Sequence, residues 1–286
     1  MHSAAAACML PPELRESGVD LELAGKRALV TGSTAGIGAA TVRELAAEGA
    51  RVAVHGRNRE RAEAIAAGIR AHGGEAIVTL GDLSTREGCN AVIEAVTAAF
   101  GGLDILVNNA GGSENPSRTW ADVEWEDFLE NFELNTGSAF RLIKHFLPGM
   151  KAQKWGRIIQ FASTGATMPA AHTEPSYNAV KASLITMTTS LSKTFAKHGI
   201  TVNCVTPGAV DTPVYRKFVT NLPPFRDKPI EEINKTLAKR WAIPAGHLGE
   251  PEDLAPAVAF LCSARADWIT GVNLRIDGGM SNFINT

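Results

Sequence analysis

The stretch that most constrains this chain runs from residue 26 to residue 58. It opens with KRALVT, a short apolar run of buried-strand character, passes through the turn TGSTAGIG, and enters AATVRELAAEGA, whose apolar residues recur at helical spacing. Gly49 closes that helix and RVAVHGRN follows as a second strand. Strand, glycine turn, helix and strand make one βαβ unit, and such a unit commits a chain to a parallel sheet covered by helices. The alternation continues. Residues 59–74 read as a helix, 75–84 as a third strand, 85–102 as a helix and 103–112 as a fourth strand. Residues 120–153 read as one or two helices, 155–163 as a fifth strand and 198–208 as a sixth. A helix over 249–263 and a last strand over 269–279 complete an α/β pattern.

The glycine turn has chemistry as well as shape. Gly32, Gly36 and Gly38 follow the spacing GxxxGxG. Glycines here let the backbone turn tightly and approach a pyrophosphate, while the helix N-terminus behind them offers unpaired N–H groups and the positive end of a dipole. Between a strand and an amphipathic helix, this points to a bound dinucleotide. Ser33 adds a candidate hydroxyl contact. An NAD site carries Asp or Glu about 20 residues after the glycines, where it accepts from the ribose 2′-hydroxyl. Here the second strand ends His55-Gly56-Arg57-Asn58, with no carboxylate. Arg57 is suited to a 2′-phosphate through charge-assisted bonds, so NADP(H) is the expected cofactor and NAD(H) the second choice. The plainer reading makes Arg57 and Arg59 the solvated start of a helix.

Further candidates sit where strands end. Asp82 follows the third strand, placed either to meet an adenine amino group or to cap the next helix. Asn108, Asn109, Ala110 and Gly111 end the fourth, where small amides and glycines suit close backbone approach to a ligand. Asn135 interrupts an apolar helix and must bond either a backbone carbonyl or a water. Ser163 ends the fifth strand. Tyr177 and Lys181 then stand four residues apart at the start of a helix, on one face. A free Tyr, with a pKa of about 10, is a slow acid and a poor base at neutral pH, and a fixed ammonium nearby lowers that value. Ser163 could hold a carbonyl oxygen while Tyr177 exchanges a proton with it. Pro207 and Gly208 end the sixth strand sharply. Residues 209–247 mix prolines with bulky apolar residues and only a short helical pattern. They read as a long insertion covering the substrate, with Val210, Val214, Tyr215, Phe218, Leu222, Phe225 and Trp241 as a candidate apolar wall.

Composition narrows the class. The chain has 286 residues, 45% of them hydrophobic, and a net charge of −2, which fits one large domain. No basic excess calls for nucleic acid, and no run of about 18 apolar residues calls for a membrane span. Residues 1–23 read as a flexible arm rather than a secretion signal, with a cleavable targeting peptide as the alternative; residues 24–286 read as a single domain. Cys8, Cys89, Cys204 and Cys262 are scattered without CxxC spacing, which argues for reduced thiols in a cytoplasmic compartment and against a zinc site.

Taken together, TGSTAGIG, NNAG, Asn135, Ser163, YNAVK, the Pro-Gly at 207–208 and the closing IDGG resemble the short-chain dehydrogenase/reductase family, in its single-domain branch, over residues from about 24 onward. The likeness includes oxidoreductases of the 3-oxoacyl-acyl-carrier-protein reductase kind. The resemblance implies a doubly wound Rossmann fold, a seven-stranded parallel sheet with helices on both faces. It implies hydride transfer between a nicotinamide and a ketone or secondary alcohol. Tyr177 is then the general acid or base, Lys181 tunes it and binds the nicotinamide ribose, Ser163 holds the substrate oxygen, and Asn135 supports a water that links Lys181 to solvent. Gly32, Gly36 and Gly38 hold the pyrophosphate, Arg57 the 2′-phosphate, and Asp82 lies near adenine. Ser33, Ile37, Asn58, Leu83, Asn109, Ala110, Gly111, Pro207, Gly208, Val210 and Thr212 complete the expected cofactor groove. Many NADP-preferring members also carry a basic residue inside the glycine turn, a place filled here by Ala35. A homodimer or homotetramer through the helices bearing Asn135 and Tyr177 is implied. Two other readings compete: a non-catalytic dinucleotide-binding or sensing protein, and an epimerase or dehydratase on the same fold.

Overall fold

The computed structural model of the chain describes residues 19–113, 119–169 and 175–282. Most of the expected N-terminal arm lies outside those residues. The strands are β1 (Arg27–Val30), β2 (Arg51–Gly56), β3 (Ala76–Leu80), β4 (Ile105–Asn108), β5 (Gly156–Phe161), β6 (Ile200–Pro207) and β7 (Asn273–Ile276). They form one sheet in the order β3-β2-β1-β4-β5-β6-β7, parallel at every pairing. The helices are α1 (Gly36–Ala47), α2 (Arg59–Ala71), α3 (Arg86–Phe100), α4 (Trp125–Phe132), α5 (Ser138–Ala152), a short α6 (Thr164–Thr167), α7 (Pro175–Phe195), α8 (Pro213–Asn221), α9 (Ile230–Arg240) and α10 (Ala255–Cys262).

Strand residues alternate between two cores, as a period of two requires. Val30, Val54, Val107, Ile159 and Val205 pack with α1, α2 and α10 on one face. Leu29, Ala53, Leu106, Ile158 and Val202 pack with α3, α5 and α7 on the other. Burial of each large aliphatic side chain is worth about 1.5–3 kcal/mol, and both faces of the sheet contribute. The strand order reverses between β1 and β4. That switch point opens a crevice at the carboxyl ends of the strands, where open α/β sheets bind ligands.

Three details depart from the sequence reading. Helix α1 begins at Gly36 rather than Ala39, so the last glycines of the turn are themselves its first residues. Glycine's poor helix propensity hides that start. Leu23, assigned to the arm, is fully buried in the core beside α1. Residues 209–247 are not irregular: they hold α8, a 3-10 turn at Pro223–Phe225 and α9. These elements enclose a small core of Val219, Phe225, Ile233 and Leu237, joined by Tyr215, Phe218, Leu222 and Trp241.

Candidate active site

A cavity of about 530 Å³ follows the carboxyl edge of the sheet across the switch point. At one end it is walled by the glycine turn. Gly32 and Gly36 have φ values of +65° and +54°, the left-handed region that glycine enters without strain. Gly38 is needed for closeness instead. A Cβ there would lie 2.4 Å from the Gly32 carbonyl oxygen and 2.5 Å from Asn109 Nδ2. Asn109 secures the turn by donating from Nδ2 to the Thr31 carbonyl at 2.8 Å. The first turn of α1 has no side-chain cap, whereas Asn58, Thr85 and Thr212 each cap a helix elsewhere. Ala35, Gly36, Ile37 and Gly38 at that helix start line the cavity, and the N–H groups of an uncapped first turn suit a pyrophosphate.

Ser33 does not join them. It is fully buried, and its hydroxyl accepts from the His55 backbone N–H at 2.9 Å. Its neighbours Thr34 and Ala35 line the cavity instead, with Thr34 packed against Gly56. His55, which the sequence reading passed over, braces this end. Its Nδ1 accepts from the Gly32 N–H at 2.9 Å and its Nε2 donates to the Gly81 carbonyl at 3.1 Å. A donor on one side and an acceptor on the other fix the neutral tautomer, and burial pushes its pKa down to about 4.

Past β2, Arg57 lines the cavity as expected, and Arg61 lines it too. Asn58 does not: its side chain caps α2 by accepting from the Arg61 N–H at 2.9 Å. Read as an N-cap, Asn58 would have placed Arg61 in the first helical turn, which is the signal that finds it. Asp82 lines the same end beside Leu83. It accepts from the Ser84 N–H and hydroxyl at 3.0 and 2.8 Å, and its Oδ2 lies 3.8 Å from Arg57 Nη1. The Ser84 bonds, then Arg57, hold its carboxyl below the usual range. The capping alternative falls to Thr85, whose hydroxyl accepts from the Gly88 N–H.

At the other end the cavity reaches Ser163, Tyr177 and Lys181. Ser163 ends β5 and caps α6, accepting from the Gly165 N–H at 3.2 Å, which leaves its own O–H to donate. Tyr177 is half-buried near the start of α7. The Lys181 ammonium lies 5.7 Å from the centre of its ring, buried, and donates to the Phe161 carbonyl at 2.8 Å. Gly111 is pressed between Lys181 and Asn135: an added Cβ would sit 2.8 Å from Nζ of the first and 2.4 Å from Oδ1 of the second. Asn135 itself does not line the cavity. It is buried in a π-helical turn (Glu133–Gly137), donates to the Asn131 and Gly112 carbonyls and accepts from the Gly112 N–H, all at 2.9–3.0 Å. The bonds to backbone carbonyls that the sequence allowed for it are made.

Ile37, Ala110, Pro207, Gly208, Val210 and Thr212 line the cavity between the two ends, with Leu134, Pro213 and Val214 added. Of the expected apolar wall, only Val210 and Val214 reach it; the others pack within the α8–α9 core. No cluster of three metal-ligating side chains occurs among the described residues.

Lys181 carries a pH signature. Burial pushes its pKa down to about 8 from 10.5, so the unfolded chain binds more protons between those values and stability should rise with pH across them. Cys204 and Cys262 act oppositely: burial raises both thiols to about 12, so the unfolded thiols ionise first above pH 9. The window from pH 8 to 9 therefore isolates the lysine. We expect wild type to gain about 1 kcal/mol relative to Lys181→Met over that unit, because the folded lysine is still half protonated at pH 8. Denaturant unfolding of both proteins at pH 7, 8 and 9 measures it, and a flat difference would mean the ammonium is not desolvated.

Known proteins resemble this chain along most of its length. The family model described as enoyl-(acyl carrier protein) reductase matches residues 32–281. The 3-oxoacyl-acyl-carrier-protein reductase of Vibrio cholerae is 39% identical over 262 residues, 91% of this chain and 99% of the relative. A 2,5-dichloro-2,5-cyclohexadiene-1,4-diol dehydrogenase of Sphingobium indicum is 36% identical over 91% of this chain and 97% of its own. The crystal structure of L-sorbose reductase from Gluconobacter frateurii, complexed with NADPH and L-sorbose, superposes with a TM-score of 0.88 at 34% identity, covering 93% of this chain and all of that one. A parallel sheet wound in this order, together with relatives matched along nearly their whole length, places the chain in the short-chain dehydrogenase/reductase family.

Proposed function

We propose that this chain is an NADP(H)-dependent oxidoreductase acting on a ketone or secondary alcohol of small-molecule size. The observation that carries the reading is one cavity with an uncapped helix N-terminus at one end and Ser163, Tyr177 and buried Lys181 at the other. Bound there, the nicotinamide dinucleotide would supply or accept the hydride. The remaining work belongs to the protein. Tyr177 gives its phenolic proton to the carbonyl oxygen in reduction and takes it back in oxidation. Ser163 donates a second hydrogen bond to that oxygen. Lys181 favours the phenolate through its charge, and Asn135 holds the Gly111–Gly112 wall against it. Arg57 and Arg61 receive the 2′-phosphate, with Asp82 near the adenine.

Two relatives described as reductases or dehydrogenases over the full length favour this reading over a cofactor sensor. The segment of residues 209–247 serves as the lid of a single oxidoreductase domain. Trp120, Trp125 and Phe140 are strongly exposed around α4 and α5, which supports a homodimer or homotetramer through that face. No described helix is long and apolar enough to cross a membrane, in keeping with a cytoplasmic enzyme. Incubation with NADPH and a panel of ketones, following cofactor absorbance, tests the function. Failure across 3-oxoacyl thioesters, keto-sugars and cyclic ketones would sink it.

A further inference from the structure

The α8–α9 segment is a body with its own small core, and both of its ends are clamped at one place. The Asp211 N–H donates to the Gly249 carbonyl at 2.8 Å and the Gly249 N–H to the Ala209 carbonyl at 3.0 Å, pairing Val210 with Gly249. Between Val210 and Thr212, which both line the cavity, stands Asp211. Its side chain is only 4% exposed. The carboxylate accepts from Arg216 Nε at 2.6 Å and Nη2 at 3.1 Å, both from α8. It accepts from Asn234 Nδ2 of α9 at 2.7 Å. Asn234 Oδ1 in turn accepts from the Tyr215 hydroxyl at 3.0 Å, returning the chain of bonds to α8.

A buried carboxylate is costly unless fully bonded, and this one is bonded to both helices from the turn that precedes α8. The turn it occupies also bears on the cofactor end: Thr212 Cγ2 lies 3.1 Å from the point where a Cβ on Gly36 would sit. We propose that Asp211 is a positioning residue whose carboxylate latches α8 to α9 and so sets where Val214 and the lid stand over the substrate end of the cavity. This rests on reading that cavity as the active site. Arg216, Asn234 and Tyr215 are the other members of the latch. None of them lines the cavity, so they act on the substrate through the lid.

The test uses the full chain, alone and with NADPH, and two readouts. Hydrogen exchange reports the latch without requiring turnover, and steady-state kinetics report its consequence. In Asp211→Asn, amide exchange over residues 213–240 should rise about tenfold, the loss of one hydrogen bond to a charged group, while β1, β4 and β5 keep their protection. Substrate KM should rise about tenfold, with kcat and the NADPH dissociation constant nearly unchanged. Arg216→Met and Asn234→Leu leave the buried carboxylate short of a partner and should give the same signature at least as strongly. The double variant Asp211→Asn/Asn234→Asp re-forms an amide–carboxylate pair with its polarity reversed, and should bring KM and exchange back toward wild type. Unchanged exchange, exchange that rises equally in the central strands, or no rescue by the double variant overturns the proposal. If no carbonyl compound is turned over, the functional reading fails while the exchange and rescue data still decide the latch.

Discussion

Replacing Tyr177 by Phe is expected to lower kcat about 10²- to 10⁴-fold, the range a positioned general acid contributes, and to leave NADPH affinity unchanged. The substitution is narrow. Phe keeps the aromatic ring that lies 5.7 Å from the Lys181 ammonium, so the packing of α7 and the burial of Lys181 persist. Only the O–H is removed. On the proposed mechanism Ser163 would still donate to the substrate oxygen, so the residual rate would measure positioning and hydrogen bonding without proton transfer. Ser163→Ala should therefore cost less than Tyr177→Phe, because it removes a hydrogen bond but not the proton source. Single-turnover reduction with saturating NADPH, set beside a fluorescence titration of the cofactor, separates chemistry from binding. If Tyr177→Phe keeps a rate within a few-fold of wild type, the proton does not come from Tyr177.

Whether a feature could be read from sequence depended on whether one residue type had one physical use. Strands buried on both faces appear as continuous apolar runs, so ALV, RVAV and ILV could hardly be anything else. The glycines were equally legible, because little else tolerates a left-handed φ or an approach of 2.4 Å. Short polar residues were less so. Ser33, Asn58 and Asp82 all stand at turns where a side chain either faces a ligand or satisfies the backbone, and sequence does not set the direction. Ser33 and Asn58 bond backbone, and Asp82 bonds the Ser84 N–H while also lining the cavity. Within residues 209–247, the prolines obscured the helical pattern, yet Pro213 and Pro229 do not break helices. They stand instead at helix starts: Thr212 caps and Pro213 opens α8, and Pro229 immediately precedes α9. Depth was the least legible property. That Lys181 is buried against Gly111 and Phe161 follows from the packing of α7 on the sheet, which no local pattern encodes.

Cofactor choice gives the second large effect. Arg57→Ala/Arg61→Ala should weaken NADPH about 10²- to 10³-fold and NADH hardly at all, since a hydrogen bond to a charged group is worth about 1.5–3 kcal/mol and two guanidinium groups share one phosphate. Both arginines line the cavity beside the end of β2, and no described carboxylate other than Asp82 lines it. Asp82 is no strong competitor for Arg57. Their charges are 3.8 Å apart and the side chains 71% and 44% exposed, so the pair is worth little and Arg57 can turn to a phosphate. The single variants apportion the effect. If Arg57 alone carries it, Arg61→Ala will match wild type and the second guanidinium is only solvated surface. Arg57→Asp should go further than Ala, because it places a carboxylate where an NAD site keeps one, repelling the phosphate and accepting from a ribose hydroxyl. Dissociation constants for NADPH and NADH, measured at two salt concentrations, separate these outcomes: the NADPH loss should shrink as salt screens the exposed arginines. Equal losses for the two cofactors would remove the 2′-phosphate from this site.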